Sequence, residues 1–391
     1  MRKRAHVDCS DWHRHHWRNH GLRTGLQRAS VSVLERRGAA AEEASFANAG
    51  LVAPGYVTPW AAPGMPGKVL GHLLSRHAPV RVNLPLSGRD LTWMWKFYRA
   101  CRLDTYLTYP SQLQRLAFYS RERLDQIRAD LNLDYERSDG YMVLLRSVRD
   151  SKLVQPGLQV LRDAGVNFKE IGPQDARRIE VALNPEITFH GAVHLPDDEV
   201  GNCRQFALLL KTESQRTGVE YLFNASVTHV TGVASGHGVE IGIGGENQTR
   251  QFDAVVICAG LDSVRLLEPL GWKVPMTAVH GYSISAAIRE PLNAPASAVM
   301  DERYKVAVSR LGNRIRVAGS AELGGTVDKK GSSPLQTLYK VLHDWFPGAA
   351  NLSSVVQEWK GARPMLPEGP PIIGASGIAG VWLNLGHGSS G

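Results

Sequence analysis

The chain lacks what a membrane-spanning or disulfide-stapled protein needs. No window approaches the roughly 18 consecutive apolar residues of a spanning helix. The first residues are too polar and too rich in His and Arg to form the apolar core of a signal peptide. The default reading is a cytoplasmic protein. Cysteine is scarce: Cys9, Cys101, Cys203 and Cys258 stand far apart with no C-x-x-C pair, which argues against a disulfide framework, a zinc ribbon or a dithiol redox site. There is no internal repeat and no low-complexity tract. A basic body is also missing. Of the net charge of +8, residues 1–30 carry +5, from seven Arg/Lys against two acids. With charge so placed and no recognised module, nucleic acid is not expected as a partner. What the chain does have is apolar mass, 43% hydrophobic over 391 residues with 39 glycines, enough for two domains or one large α/β unit.

Residues 1–30 show no sustained apolar period of two or 3.6, yet VSVLERR follows at once, an apolar run ending in Glu35. In dinucleotide-binding βαβ units an acid at the tip of the second strand holds the adenosine ribose, about 20 residues after a G-x-G-x-x-G turn. Here that turn is missing. A shifted coding frame upstream of Val31 accounts for this. Trp has one codon, TGG, and every His or Arg codon begins with C or A. Reading one base later therefore turns Trp12 and Trp17 into Gly whatever codons were used, at the spacing of the first and third glycines of the turn. Arg14 can become the middle one, and plausible codons for residues 6–30 then spell a strand, a glycine turn and an amphipathic helix. The competing reading is a genuine polar arm. His13, His15, His16 and His20 with Cys9 are also ligand types that suit zinc or nickel. A shifted frame explains them without a metal, and no metal site is assigned.

Beyond Glu35, the Ala/Gly/Pro-rich residues 42–67 suit an extended loop over a ligand or a plain surface loop. Residues 91–131 and 155–184 read as helices, and residues 202–216 as a helix feeding the strand at 219–223 through Gly218. Ala254–Ala259 is an apolar run fit for a buried parallel strand. Three segments of period-two alternation, within 274–288, 296–310 and 313–322, predict an antiparallel sheet, and LQTLYKVLHDWFP a helix stopped by proline.

Taken together, SFANAGLVAPGYVTPWAAPG at 45–64, HGYSIS at 280–285, DERYKVAVSR at 301–310, and GARPMLPEGPPIIG followed by LNLGHGSSG at 361–391 resemble the D-amino-acid oxidase superfamily. Within it, the first and third segments are most similar to the flavin-carrying small subunits of bacterial D-amino-acid dehydrogenases. The resemblance covers residues 31–391. It implies an α/β fold, α+β overall, with a discontinuous Rossmann-like FAD-binding domain (1–90, 150–265, 350–391) interleaved with an antiparallel-sheet substrate domain (91–149, 266–349). The implied cofactor is FAD and the implied activity oxidative deamination of a D-amino acid. A hydride leaves the α-carbon for flavin N5, and the imino acid hydrolyses to a 2-oxo acid and ammonia. The implied partner is a quinone or other electron-transfer-chain acceptor, met by peripheral attachment to the inner face of the cytoplasmic membrane, although no amphipathic anchor stands out in the sequence.

The resemblance also assigns residues. Arg363 matches the position that pairs bidentately with a substrate carboxylate, a task that suits a guanidinium better than an ammonium; a structural ion pair is its plainer role. Tyr304, and more weakly Tyr282, match a phenol that adds a second hydrogen bond, against the alternative of an ordinary sheet tyrosine. For the flavin, Glu35 with Arg36 beside it meets the ribose, Ser45, Asn48 and Gly50 border the cofactor, and Val227 meets the adenosine side through its backbone. Gly260, Gly361, Gly374, Gly386, His387 and Gly388 let the chain pass close to it, although each glycine alone could be a turn. The chain stops at Gly391 inside GHGSSG, where the family continues into another helix. The resemblance therefore implies a truncated C-terminus and, with the glycine turn also altered, weak flavin binding. Two rivals stay open: a glycine- or sarcosine-type oxidase that uses oxygen, and a non-catalytic product of a disrupted gene. We expect the nucleotide sequence to show a one-base displacement upstream of Val31. One unambiguous frame with no nearby insertion or deletion would remove that reading.

Overall fold

The computed structural model describes residues 4–9, 29–57, 60–62, 65–67, 75–102, 110–232, 239–244 and 248–389. The expected glycine turn and the histidine cluster at 13–20 lie outside them. One sheet is ordered β18-β19-β12-β1-β2-β8, with the apolar run of β12 near its centre. Its strands are β1 (Arg4–Cys9), β2 (Ser30–Glu35), β8 (Glu220–Phe223), β12 (Ala254–Cys258), β18 (Ile372–Ala375) and β19 (Val381–Leu385). All neighbours are parallel except β18 and β19, the pattern of a nucleotide-binding sheet. The central strand is β1, paired to β2 and β12 on its two sides. Arg4–Cys9 is thus a strand within the stretch that shows no sustained apolar period. The physical mismatch remains, because an inner parallel strand is usually apolar throughout and β1 reads Arg-Ala-His-Val-Asp-Cys.

The alternating segments build a second, larger sheet of ten strands. Its main path runs β17-β13-β16-β15-β14-β5-β7-β3, with β4 on β16 and β6 on β7. These are β3 (Leu51–Val52), β4 (Val80–Val82), β5 (Ser138–Leu145), β6 (Lys169–Ile171), β7 (Gly191–Val200), β13 (Thr277–Ala287), β14 (Ala298–Asp301), β15 (Val306–Leu311), β16 (Arg314–Leu323) and β17 (Gln357–Met365). A small sheet of β9 (Val227–Gly232), β10 (Val239–Ile243) and β11 (Gln248–Phe252) packs with the parallel one. The division between the two layers therefore differs from the expected one. Residues 191–200 and 357–365, expected in the nucleotide domain, are strands of the large sheet, where their alternation finds antiparallel partners.

Seven helices among the described residues connect these layers: α1 (Gly88–Ala100), α2 (Pro110–Leu131), α3 (Val148–Asp163), α4 (Pro173–Ile179), α5 (Cys203–Arg216), α6 (Ser263–Leu267) and α7 (Ser332–Trp345). Helix α7 buries Leu335, Leu338, Val341, Leu342 and Trp345, a stripe at helical spacing, on one face of the large sheet, where Tyr282, Ile284, Ala286, Val306, Val308, Ile315 and Val317 meet it. The Trp345 indole N–H donates to the fully buried Asp301 carboxylate at 2.8 Å, which also accepts from Arg146 at 2.6 Å. Helix α2 is tied to β7 through Glu199, a buried carboxylate that Arg128 meets at 3.2 Å and that also accepts from Arg137.

One buried acid in this framework is poorly satisfied. Asp198 on β7 accepts from the Gly55 amide at 3.0 Å through Oδ1, while Oδ2 has no described hydrogen-bond partner. Burial, with Asp197 and Glu199 adding repulsion against the pull of Arg121, pushes its carboxyl up to about 7. The folded state therefore holds a proton that the unfolded chain releases near the ordinary Asp value, so the group costs stability increasingly as pH rises and fully above about 7. Asp198→Asn should melt like the parent near pH 4 and above it at pH 8. A gap independent of pH in thermal unfolding would contradict this.

Candidate functional site

Strands β1, β2, β12 and β19 run parallel, so their C-terminal ends share one edge. Glu35 ends β2, Gly260 follows β12, and Gly386, His387 and Gly388 follow β19. This edge is where open α/β sheets bind ligands. Glu35 is buried and accepts from the Arg37 amide at 3.0 Å. Arg36 bridges Glu43, at 2.7 Å, and Asp262 in the turn after Gly260, which holds the ends of β2 and β12 together.

Residues 45–50 leave this edge and cross the large sheet on the face opposite α7. Four consecutive carbonyls of that segment are fastened. Ala47 accepts from Ser283 Oγ at 2.6 Å, Asn48 from Arg316 at 3.2 Å, Ala49 from Ser309 Oγ at 2.8 Å and Gly50 from the Gly201 amide at 2.8 Å. Asn48 Oδ1 caps the Gly50 amide at 3.2 Å, and Ser45 is buried. The amides of Ala47, Asn48 and Ala49 have no partner among the described residues. A strip of backbone with its acceptors turned to the sheet and its donors unused is suited to an electron-rich, planar or phosphorylated group.

Arg363 lies beside this strip. On β17 it pairs with Val279 of β13, and its guanidinium folds across Gly281, where a Cβ would come within 2.2 Å of Nη2. Gly361, directly opposite Gly281, gives its space to the Trp359 ring, which stacks on Phe46 of the strip with centroids 6.5 Å apart. Trp359, Gly361 and Arg363 thus alternate onto one face. The register of β16 against β13 slips between His280 and Tyr282, one extra residue being accommodated where Ser320 adopts φ 61°. The Ser320 carbonyl, turned out at this bulge, accepts from Arg363 Nη1 at 3.0 Å.

No carboxylate pairs with Arg363 among the described residues. Protein surrounds the side chain, yet some of its surface stays accessible. Burial alone pushes the guanidinium down to about 10. An enclosed cation without a counter-ion is unfavourable, and a bound anion relieves it. The two sheets meet here. Met365 forms a bridge with His387, and the Gly388 amide donates to Pro364 at 3.1 Å, so the segment after β19 lies within two residues of Arg363.

Several expected residues are placed elsewhere. Tyr282 alternates to the α7 face, where its hydroxyl donates to Glu322 at 2.7 Å and accepts from the Gly331 amide at 3.1 Å. Glu322 is further held by Lys360 at 2.6 Å, both fully buried. The Tyr304 ring also packs on the α7 face, with Arg146 5.1 Å and Lys340 5.7 Å from its centroid. Strand alternation thus takes both phenols away from the guanidinium, and their expected carboxylate contacts are corrected. The Val227 carbonyl is occupied by Arg265 at 2.7 Å, so its expected adenosine contact is not open at that atom. Gly374 sits inside the edge strand β18 opposite Leu383, not at the C-terminal edge. Trp359, Phe46, Ser283, Ser309 and Arg316 were missed. The signal for Trp359 was its parity with Gly361 and Arg363.

The edge, the strip and Gly386–Gly388 therefore offer a shelf for FAD that the residues present fit. Among solved structures, the chain is similar to a glycine oxidase from Geobacillus kaustophilus, at 17% identity with a TM-score of 0.74, covering 100% of this chain and 90% of that one. It is also similar to an L-alpha-glycerophosphate oxidase from Mycoplasma pneumoniae with FAD bound, at 14% identity and a TM-score of 0.67, covering 99% and 90%. A D-amino acid dehydrogenase of Bradyrhizobium diazoefficiens is 40% identical over 364 residues, 92% of this chain and 85% of that protein. The family model of FAD dependent oxidoreductases, DAO, matches residues 21–391. With that match and that relative, the chain belongs to the DAO family of FAD dependent oxidoreductases.

Proposed function

We propose that the chain is a D-amino-acid dehydrogenase. It would oxidatively deaminate D-alanine-like substrates to 2-oxo acids and ammonia, and pass electrons to a quinone-linked acceptor at the inner face of the cytoplasmic membrane. The observation that carries the proposal is the enclosed guanidinium of Arg363, without a carboxylate partner among the described residues, beside the strip of residues 45–50. The 40% identical relative, named a D-amino acid dehydrogenase, supports the substrate class.

Arg363 supplies the charge that neutralises an amino acid's carboxylate. With Nη1 tethered to the Ser320 carbonyl, the guanidinium is fixed in orientation, and a bidentate pair then fixes the substrate's carboxylate plane. The absence of a Cβ at Gly281 lets the guanidinium lie flat on the sheet. Bound FAD supplies the two-electron acceptor for the substrate's Cα–H bond. Glu35, the Gly260 turn and Gly386–Gly388 would hold it, with Ala47–Ala49 along its ring system. Trp359 and Phe46 wall the region in apolar surface, which lowers the local dielectric and strengthens the Arg363–carboxylate attraction. The protein's share of the chemistry is orientation and exclusion of water.

Two predictions follow from this arrangement. Arg363→Leu should lower kcat/KM for D-alanine by roughly 100-fold or more, the scale of losing one partner of a buried ion pair. Its melting temperature should not fall, because an uncompensated buried charge is removed. Turnover is followed by reduction of a dye acceptor with FAD supplied, in this chain and in a version whose residues 6–30 carry the second-frame reading. Unchanged turnover would refute the assignment, and peroxide formation with oxygen uptake would favour an oxidase. In FAD titrations, the second-frame version should bind at least tenfold more tightly than this chain; equal affinity would show that the glycine turn contributes nothing.

A further inference from the structure

Large apolar side chains are exposed singly over most of the molecule, but one group of them is ordered. Leu91, Trp95 and Tyr98 of α1 are 56%, 61% and 58% exposed, and Leu84, just before the helix, is 83% exposed. The three helical positions are spaced i, i+4 and i+7, so they form one stripe along the outer side of α1. Trp93 and Ala100, on the inner side, are buried. An exposed stripe of this kind on a structured helix marks a surface that is covered by something.

The charges around the stripe say what covers it. Arg89, Lys96 and Arg99 are exposed on the same helix, whose one acid, Asp90, is turned inward. Asp90 closes a capping box with Ser87 and accepts from Thr277 Oγ1 at 2.5 Å. On the helical wheel, at about 100° per residue, Arg99 flanks the stripe and Lys96 stands at the rim of the exposed side, whereas Arg89 lies toward Trp93 and beside Asp90. The outer side of α1 therefore combines Leu, Trp and Tyr with two basic side chains, Lys96 and Arg99. Trp and Tyr favour the boundary between hydrocarbon and headgroups, and Lys and Arg favour anionic headgroups. Each basic residue near such a surface adds about fivefold to binding.

The position of α1 gives the stripe a purpose. The Trp93 indole N–H donates to the Met365 carbonyl at 2.9 Å, and Trp93 packs on Val279, Ala321, Leu323 and Met365. Val279 is the strand partner of Arg363, and Met365 is two residues beyond it. One side of α1 thus covers the strand pair that holds the substrate guanidinium, while the other faces solvent.

We propose that the outer side of α1, with Leu84, is the surface by which the protein lies on an anionic lipid bilayer. The membrane then meets the molecule one helix diameter, about 10 Å, from the Arg363 strands, where an acceptor dissolved in lipid can approach the reduced cofactor. The proposal rests on the membrane-linked function above for its purpose, but not for its surface.

The test is co-sedimentation of the full chain with vesicles containing phosphatidylglycerol and with vesicles of phosphatidylcholine alone. The parent should bind the anionic vesicles, more weakly as salt rises. L91S/W95S/Y98S should lose at least tenfold in partitioning, and K96E/R99E should lose binding to the anionic vesicles selectively. Melting temperature and turnover with a soluble dye should stay at parent values in both variants. Parent protein that ignores both vesicles, or a triple variant that binds as the parent does, would overturn the proposal. So would a concentration-dependent dimer in light scattering that the triple substitution abolishes, because a second copy would then cover the stripe. Absent dye turnover together with intact, stripe-dependent vesicle binding would sink the enzymatic reading and leave the docking surface standing.

Discussion

The structure is organised around a positive charge, that of Arg363, which has no carboxylate partner among the described residues. A guanidinium enclosed without a carboxylate is tolerated only where the framework around it is strong enough to hold it there. At Arg363 that framework is three adjacent strands. Strand β17 carries the residue, β13 yields its side-chain volume at Gly281, and β16 bulges at Ser320 to offer a carbonyl. The bulge costs backbone strain at a non-glycine residue with positive φ. Helix α7 backs the same strands with a large apolar cluster, and that burial offsets both costs.

The second organising fact is how closely the two sheets approach each other. The parallel sheet ends where Glu35, Gly260 and Gly386–Gly388 gather, and the last of these is hydrogen-bonded into the end of β17. The end of one sheet and the Arg363 strand of the other are thereby brought within the span of a few residues.

Much of this was legible in the sequence. Glu35 at the tip of an apolar run marked the edge of a nucleotide sheet, the alternation in 274–322 marked the second sheet, and the GARP segment marked the guanidinium. What was not legible is mostly a matter of strand parity and register. Tyr282 stands next to Gly281, but alternation puts it with Ile284 and Ala286, whose apolar character was already visible. Tyr304 follows Asp301, whose carboxylate is drawn to Trp345 and Arg146 by contacts over 44 and 155 residues of chain, beyond the reach of local pattern. Sheet membership was hard to read for a related reason: β7 and β17 join the large sheet but sit in sequence between segments that join the parallel one. Residues 1–30 carry no sustained apolar period, yet Arg4–Cys9 takes the central place, paired in parallel with β2 and β12.

The fastening of residues 47–50 has a further consequence. Side chains from three strands and the Gly201 amide fix four successive carbonyls, so the conformational entropy of that segment is lost when the protein folds and not when a ligand arrives. A binding surface preorganised in this way gives up little freedom on association. A guest on that segment would meet a row of donors whose positions are set before it arrives.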